Sequence, residues 1–513
     1  MYRGNNDALE PKGWHSNTVS VQQKNAQKNN RSSIYTLELE EKKKGIQEYD
    51  DDYEPYDHRT VAHPTTNVET LFHLLKGSLG TGILAMPMAF HNSGYVLGMF
   101  ATIIIGLLCT YCMRILVTSM YVLCKRKKVA SMTYPATIEA ALEEGPACLR
   151  RFSKLSIHVT NTFLLIYQLG SCCVYVVFIA NNLKRAFDSF LPDHIKIHMT
   201  DKIYMLLILL PLIFINWIKN LKFLVPCSKF ATTVTFVSFG IILYYIFKDP
   251  LSFDDREPIG KIENFPLYFG TVLFALEAIG VIMPLENEMK TPRDFTAPCG
   301  ILNIGMGTIV ILYAGMGFCG YIRYGSEIKG SITLNLSSTE ALAKSVQLLL
   351  ALAIYFTQPI QCYVAIDIVW NEYLSPRLEK NSYRKLWEYF IRTGLVLITA
   401  LLAIAVPSLE YFISLFGALC LSALGLGFPA IIQLCTCWKE ADRSTKAFML
   451  MKNLIIVLIG VIGLVVGTYT SLREIFEKEA LSTATEDSQY FYASTVAEEN
   501  FISNLTVTRR LEQ

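Results

Sequence analysis

Residues 68–94 read VETLFHLLKGSLGTGILAMPMAFHNSG, an apolar stretch long enough to cross a bilayer with the hexapeptide GSLGTG, Gly77–Gly82, near its middle. Three glycines in six residues make poor helix, each costing about 1 kcal/mol relative to alanine in a helix interior. Unwound backbone at membrane depth must find hydrogen-bond partners in protein, water or a ligand, so a broken span is a candidate binding site. The alternative is that the glycines let a neighbouring helix approach closely, as small-residue motifs do in membrane bundles. A second apolar span, Phe265 to Met289, carries its own interruption at Glu277-Ala-Ile-Gly280, followed by Pro284. Two broken spans in corresponding positions are the sequence signature of a secondary transporter built from inverted repeats.

Composition agrees with a membrane protein. Of 513 residues, 52% are hydrophobic and 18% charged, which is too apolar for a soluble chain of this size. A net charge of +2 gives no basic field for nucleic acid. The cysteines, Cys172-Cys173 and Cys435/Cys437 among them, lie in or beside apolar spans without zinc-type pairing and read as small core residues. No nucleophile with a base, metal-ligand set or phosphate loop points to an enzyme, and no cofactor is expected. Residues 1–67 are polar, without an apolar run for a cleavable signal peptide, and are expected to form a disordered cytosolic tail. The stretch EYDDDYEPYDH within it, with Tyr49, Tyr53 and Tyr56, is either solvated or a docking segment for a cytosolic partner.

Eleven stretches approach membrane-spanning length: 68–90, 96–123, 155–182, 202–218, 223–247, 263–289, 299–322, 339–370, 386–405, 408–436 and 447–472. With a cytosolic N-terminus, the cytosolic loops hold 18 Lys plus Arg and the opposite loops eight, as the positive-inside rule requires. The tail 473–513 then lies outside or in a lumen. The sequons at Asn335 and Asn504 fall on that same side and are expected glycosylation sites, whereas the sequon at Asn30 falls in the cytosol.

If spans one to five form one repeat and six to ten its inverted copy, the two broken spans correspond. Each break starts a new half-helix near the midplane, at about Ile83 and about Val281. The unpaired N–H groups and positive dipole end of such a half-helix favour an anionic group. The halves that end there, near Lys76 and Leu276, offer carbonyls to a cation. A free α-amino acid carries both charges at one carbon and fits that pairing.

LFHLLKGSLGTGILAMPMAFHNSG, then FPLYFGTVLFALEAIGVIMPLENEMKTP, then GYIRYGSEIKGSITLNL resemble, in order and over about residues 68–470, the proton-coupled amino acid transporter family of the amino acid/auxin permease group. The resemblance implies an all-helical LeuT-type fold of eleven spans, five plus five inverted with one extra. It also implies proton-driven symport of small neutral amino acids such as glycine, alanine and proline, at the plasma membrane or lysosome. A sodium-coupled or uncoupled carrier of the same fold, or an amino acid sensor, are the other readings.

Substrate contacts are expected from Gly77, Ser78, Gly80, Thr81, Gly82, Glu277 and Gly280 at the breaks, and from Phe274 as a wall that narrows the pocket. Ionisable groups inside spans are functional hypotheses by default. His73 sits one turn before GSLGTG, where the family has its proton-handling histidine, and its reference pKa of about 6.5 suits coupling to an acidic compartment. Glu277 competes for that role, and each residue has a structural alternative as a hydrogen-bonded group of the bundle. Lys76 either pairs with a carboxylate or snorkels to the interface. Tyr167 and Gln168 are vestibule candidates. Thr357 and Gln361, four apart on one helical face, are a thinly supported cation site.

Overall fold

The computed structural model describes residues 53–61, 64–188, 200–219, 224–276, 279–337, 340–406, 408–439, 442–478 and 480. Among them all regular structure is helical apart from one parallel bridge between Thr65 and Met289. The first span is two helices, α1 (Asn67–Ser78) and α2 (Thr81–Ser93), parted by Leu79 and Gly80. There follow α3 (Tyr95–Lys127), the short α4 (Tyr134–Glu144), α5 (Ser153–Phe187), α6 (Asp201–Asn216) and α7 (Leu224–Phe247). The sixth span is again divided, into α8 (Phe265–Ala275) and α9 (Ile279–Asn287). The chain continues through α10 (Ile301–Tyr324), α11 (Ala341–Ile366), α12 (Arg384–Ala405), α13 (Leu409–Phe416), α14 (Phe428–Thr436) and α15 (Arg443–Ile462).

Eight of these helical runs are long and apolar enough to cross a membrane. The two divided spans and the 16-residue α6 are each too short in one piece, and together with the eight they are compatible with eleven passes. Leu454, Leu458, Val461 and Val465 recur every three to four residues along the last run and are all more than half exposed. Such a stripe is a lipid-facing surface, since a soluble protein seldom exposes one. The chain is a multi-pass membrane protein.

Packing follows an inverted repeat. Each of the first four spans lies against the span five places later: α2 on α8 and α1 on α9, α3 on α10, α5 on α11, α6 on α12. That is the arrangement of two halves related by a two-fold axis passing between them. The core is one continuous apolar cluster, and Cys172, Cys173, Cys362 and Cys435 are buried in it as free thiols.

Three segments wind in wider i→i+5 turns: Asp367–Leu374 after α11, Gly417–Gly427 between α13 and α14, and Gly463–Gly467 after α15. The middle one packs on α8.

Boundaries differ from expectation in two places. The last helical run extends to Lys478, six residues past the expected end at 472. The compact unit begins at Glu54 rather than 68. Residues assigned to the disordered tail therefore belong to it, because Glu54, Arg59 and Thr65 have hydrogen-bond partners on the helices or the turns beside them. Residues 1–52, with Asn30 and Tyr49, and residues 481–513, with Asn504, lie outside the described residues.

Candidate substrate site at the two helix breaks

α1 begins with a capping box that its sequence announces as Thr66-x-x-Glu69: Glu69 N donates to Thr66 Oγ1 at 3.4 Å, and Thr66 N to Glu69 Oε2 at 2.9 Å. It closes with Leu79 N donating to the Leu75 carbonyl at 2.9 Å. The break is thus shorter than expected, with α1 ending at Ser78 instead of near Lys76 and α2 opening at Thr81 instead of Ile83. Gly80 is the N-cap of α2 and supplies no side-chain cap. The first N–H groups of α2 consequently point into the break without an acceptor in their own helix. In the second span α8 ends at Ala275 and α9 starts at Ile279. Glu277 and Ala278, between them, lie outside the described residues.

The two breaks meet. A Cβ on Gly82 would stand 2.7 Å from the Ala275 Cα, so the first turn of α2 rests on the last turn of α8, backbone to backbone. Gly82 therefore answers to the close-packing reading of the motif. Gly80 differs: a Cβ there would find nothing nearer than Tyr175 Oη at 4.0 Å. One glycine of the hexapeptide closes the helix joint, and the other leaves open space beside the break. Gly77 is exposed at the end of α1, and Gly280 is exposed in the first turn of α9.

Polar groups lie on the elements beside that space. Tyr313 of α10 donates its hydroxyl to the Ser78 carbonyl, satisfying one group that α1 leaves open. Ser78 Oγ, Gln168 Oε1 and Ser171 Oγ are buried without a hydrogen-bond partner. Gln168, Ser171 and Tyr175 fall three and four residues apart, on one face of α5, and Tyr175 fixes that face toward Gly80. Buried unsatisfied polar atoms are uncommon and call for an explanation, and a polar ligand is one. Phe274 and Tyr167 are buried with ring centroids 6.1 Å apart, forming an aromatic wall beside the α8 end.

The remaining expected residues are more dispersed. Thr81 is buried in the first turn of α2. His73 lies on an exposed face of α1, one turn after Glu69. Lys76 Nζ donates to Ser228 Oγ on α7 at 2.8 Å, so it binds a hydroxyl instead of a carboxylate. Thr357 Oγ1 donates to the Ala353 carbonyl of its own helix at 2.9 Å, and Gln361 is half-buried on α11, which packs mainly against α5 and α7. The buried amide of that region is their neighbour Gln358, whose Oε1 accepts from Asn216 Nδ2 at 2.7 Å. Asn335 holds its loop, accepting from Lys329 N at 2.9 Å and donating to the Glu327 carbonyl at 2.8 Å.

At the opposite end of α1, residues 54–61 and 64–66 form a strap across α9. Arg59 is nearly buried and Glu286 fully so, with Nη2 3.0 Å from Oε2. Arg59 also donates to the Glu286 carbonyl and the Ala130 carbonyl, both at 3.1 Å. Tyr56 lies under the guanidinium, 4.6 Å from ring centroid to Cζ, and stacks on Tyr121 at 4.8 Å. Burial, and next the Glu286 carboxylate, push the Tyr56 phenol well above its ordinary pKa, so it stays protonated. Thr65 pairs with the chain after α9 through Thr65 N to the Glu288 carbonyl at 2.8 Å and Lys290 N back to the Thr65 carbonyl at 2.9 Å. Tyr56 is thus a packed residue of the strap. Glu286 stands in an expected span and carried the same signal as Glu277, an ionisable group among apolar residues. Nothing in the spacing of Tyr313, Ser171 or Arg59 marked them.

A profile of the family described as "Transmembrane amino acid transporter protein" matches residues 63–473. Among curated proteins, the chain is 39% identical over 424 residues to "Proton-coupled amino acid transporter-like protein pathetic" of Drosophila melanogaster, covering 83% of this chain and 88% of that one. It is 28% identical over 416 residues to "Amino acid transporter AVT3A" of Arabidopsis thaliana, covering 80% and 90%. Among solved structures, Mhp1, a nucleobase-cation-symport-1 family transporter in a closed conformation with bromovinylhydantoin bound, aligns with a TM-score of 0.44 and 13% identity over 85% of this chain and 97% of that one. These relatives are transporters and not enzymes. The family profile over residues 63–473, and the fly relative alike over most of both chains, show that this chain belongs to the transmembrane amino acid transporter family.

Proposed function

We propose that the chain is a proton-driven symporter of small neutral amino acids, the glycine, alanine and proline class, with the strap on the cytosolic side of a plasma or lysosomal membrane. The observation that supports this best is the meeting of the two breaks. The uncapped amides of α2 stand ready for a carboxylate, and the end of α8 lies against them with its carbonyls available for an ammonium. Phe274 and Tyr167 favour a small side chain by walling that space. Proton coupling draws support from the name of the fly relative, and from two ionisable groups of the divided spans, Glu277 between α8 and α9 in the chain and His73 on α1. No metal or organic cofactor is required by this reading.

The test is uptake of a labelled amino acid panel by the full-length protein at the cell surface, at acidic and neutral external pH and with sodium replaced by choline. Glycine, alanine or proline should outcompete arginine and glutamate, acid should accelerate uptake, and choline should leave it unchanged. Preferential competition by a cationic amino acid, or loss of flux in choline, overturns the substrate class or the coupling ion respectively. His73→Ala, with surface abundance measured alongside, should abolish the pH dependence; unchanged pH dependence removes the histidine and leaves Glu277.

A further inference from the structure

At the end of the bundle opposite the strap, a cavity of about 650 Å3 is lined by α2, α5, the start of α6, the loop after α10 and the start of α13. Its walls are charged, and most of the charges are already paired. Lys184 Nζ lies 3.3 Å from Asp201 Oδ1, and Lys478 Nζ lies 2.8 Å from Glu410 Oε1. Three groups remain. Arg185 and Lys329 form no side-chain hydrogen bond or ion pair among the described residues, and Arg185 Nε is buried without a partner. Asp188, one turn beyond Arg185, has a buried Oδ1 without a partner. Burial, and next the Arg185 charge, push the Lys329 ammonium below its ordinary pKa, with Glu327 opposing them, so the two cations are close enough to repel each other.

We infer that this cavity is a capture site for the α-carboxylate of an incoming amino acid, held by Arg185 and Lys329 with Asp188 facing the ammonium. An arginine fork and a second cation suit a carboxylate, and an anion placed between them would relieve their mutual repulsion. Position also favours a waypoint. Ser171, Tyr175, Phe178, Asn182 and Arg185 recur at three and four residues along α5, so the guanidinium stands on the face that carries Tyr175 beside the first break. Ten residues of helix put it about 15 Å further along. Phe178 and Asn182 are fully buried between the two, so the cavity and the first break share one helix face with packed side chains separating them. This inference rests on the amino acid transport reading.

The experiment compares the full-length protein with its Arg185→Gln/Lys329→Gln double variant in proteoliposomes at low ionic strength. The KM for alanine is expected to rise about three- to tenfold in the variant, the loss falling mainly on KM, as for two partly exposed charge contacts. Added sulfate should raise the wild-type KM and leave the variant's unmoved. An unchanged KM in the double variant overturns the capture site while amino acid transport stands. If chloride, tested against gluconate, controls wild-type uptake and the variant loses that dependence without a change in alanine KM, the cavity holds an inorganic anion and the substrate assignment falls. If the wild-type protein carries no amino acid, the transport reading falls by itself. The cavity is then decided by alanine raising the melting temperature of purified protein: a shift reduced in the double variant supports capture, and equal shifts overturn it.

Discussion

The two places where the broken spans touch are built from different materials. Where α2 meets α8, Gly82 rests on the backbone of Ala275, and no side chain fits between the helices. Where α1 meets α9, the contact is made by the strap, through a buried ion pair, a cation over an aromatic ring and a short backbone pairing. Backbone packing loses contact steeply with a small separation, because dispersion falls off within an ångström. A polar clasp can instead exchange its hydrogen bonds for water as it opens. The α2/α8 joint is thus held by close backbone packing and the strap end by paired polar groups.

The largest effect expected of this contrast is at the clasp. Arg59→Ala leaves Glu286 buried and uncompensated and should cost about 3–5 kcal/mol, read as a lower melting temperature of the purified protein. Adding Glu286→Gln should recover part of the loss in a double-mutant cycle; additive losses would show that the two groups do not act as a pair. Next comes the joint. Gly82→Ala forces a Cβ onto the Ala275 backbone and should cost about 1–3 kcal/mol, with lower expression and melting temperature. If Gly82→Ala is neutral, the two helices can part there at little cost and the contrast fails. Thr66→Ala removes the cap of α1 and should cost about 1 kcal/mol in the same assay. The smallest effect is expected at Gly80, where a Cβ finds room: Gly80→Ala should stay within about 0.5 kcal/mol of wild type in stability. It should nonetheless weaken substrate uptake, because its new methyl points into the space beside the break. Stability and transport losing ground together at Gly80 would erase the distinction between the two glycines.

The architecture was legible because it is written in composition and period. Apolar runs of membrane length marked the spans, and Gly77–Gly82 and Glu277–Gly280 marked the breaks to within a few residues. The motif did not separate Gly80 from Gly82, since glycine serves an open approach and a closed joint equally well. Ser78 was legible, but its partner Tyr313 lies 235 positions away, and no local pattern encodes such a pairing. The strap was read as tail for a related reason. EYDDDYEPYDH is polar enough to be disordered, and only the burial of Glu286 explains why Arg59 and Tyr56 are ordered against it. Thr357 and Gln361 share a helical face by their spacing, while the fully buried amide between them, Gln358, pairs with Asn216 on another span.

The wide-turned segments carry a consequence for descent. An i→i+5 turn holds one residue more than an α turn, so an insertion can be absorbed within a helix without displacing the residues beyond it. In ordinary helix the same insertion rotates everything downstream by about 100°. Single-residue gaps between this chain and its relatives are therefore expected inside spans, at Asp367–Leu374, Gly417–Gly427 and Gly463–Gly467, and not only in loops. Because Gly417–Gly427 packs on α8, a lineage that lost a residue there would reset the turns that touch α8 and keep the helix beyond them in place.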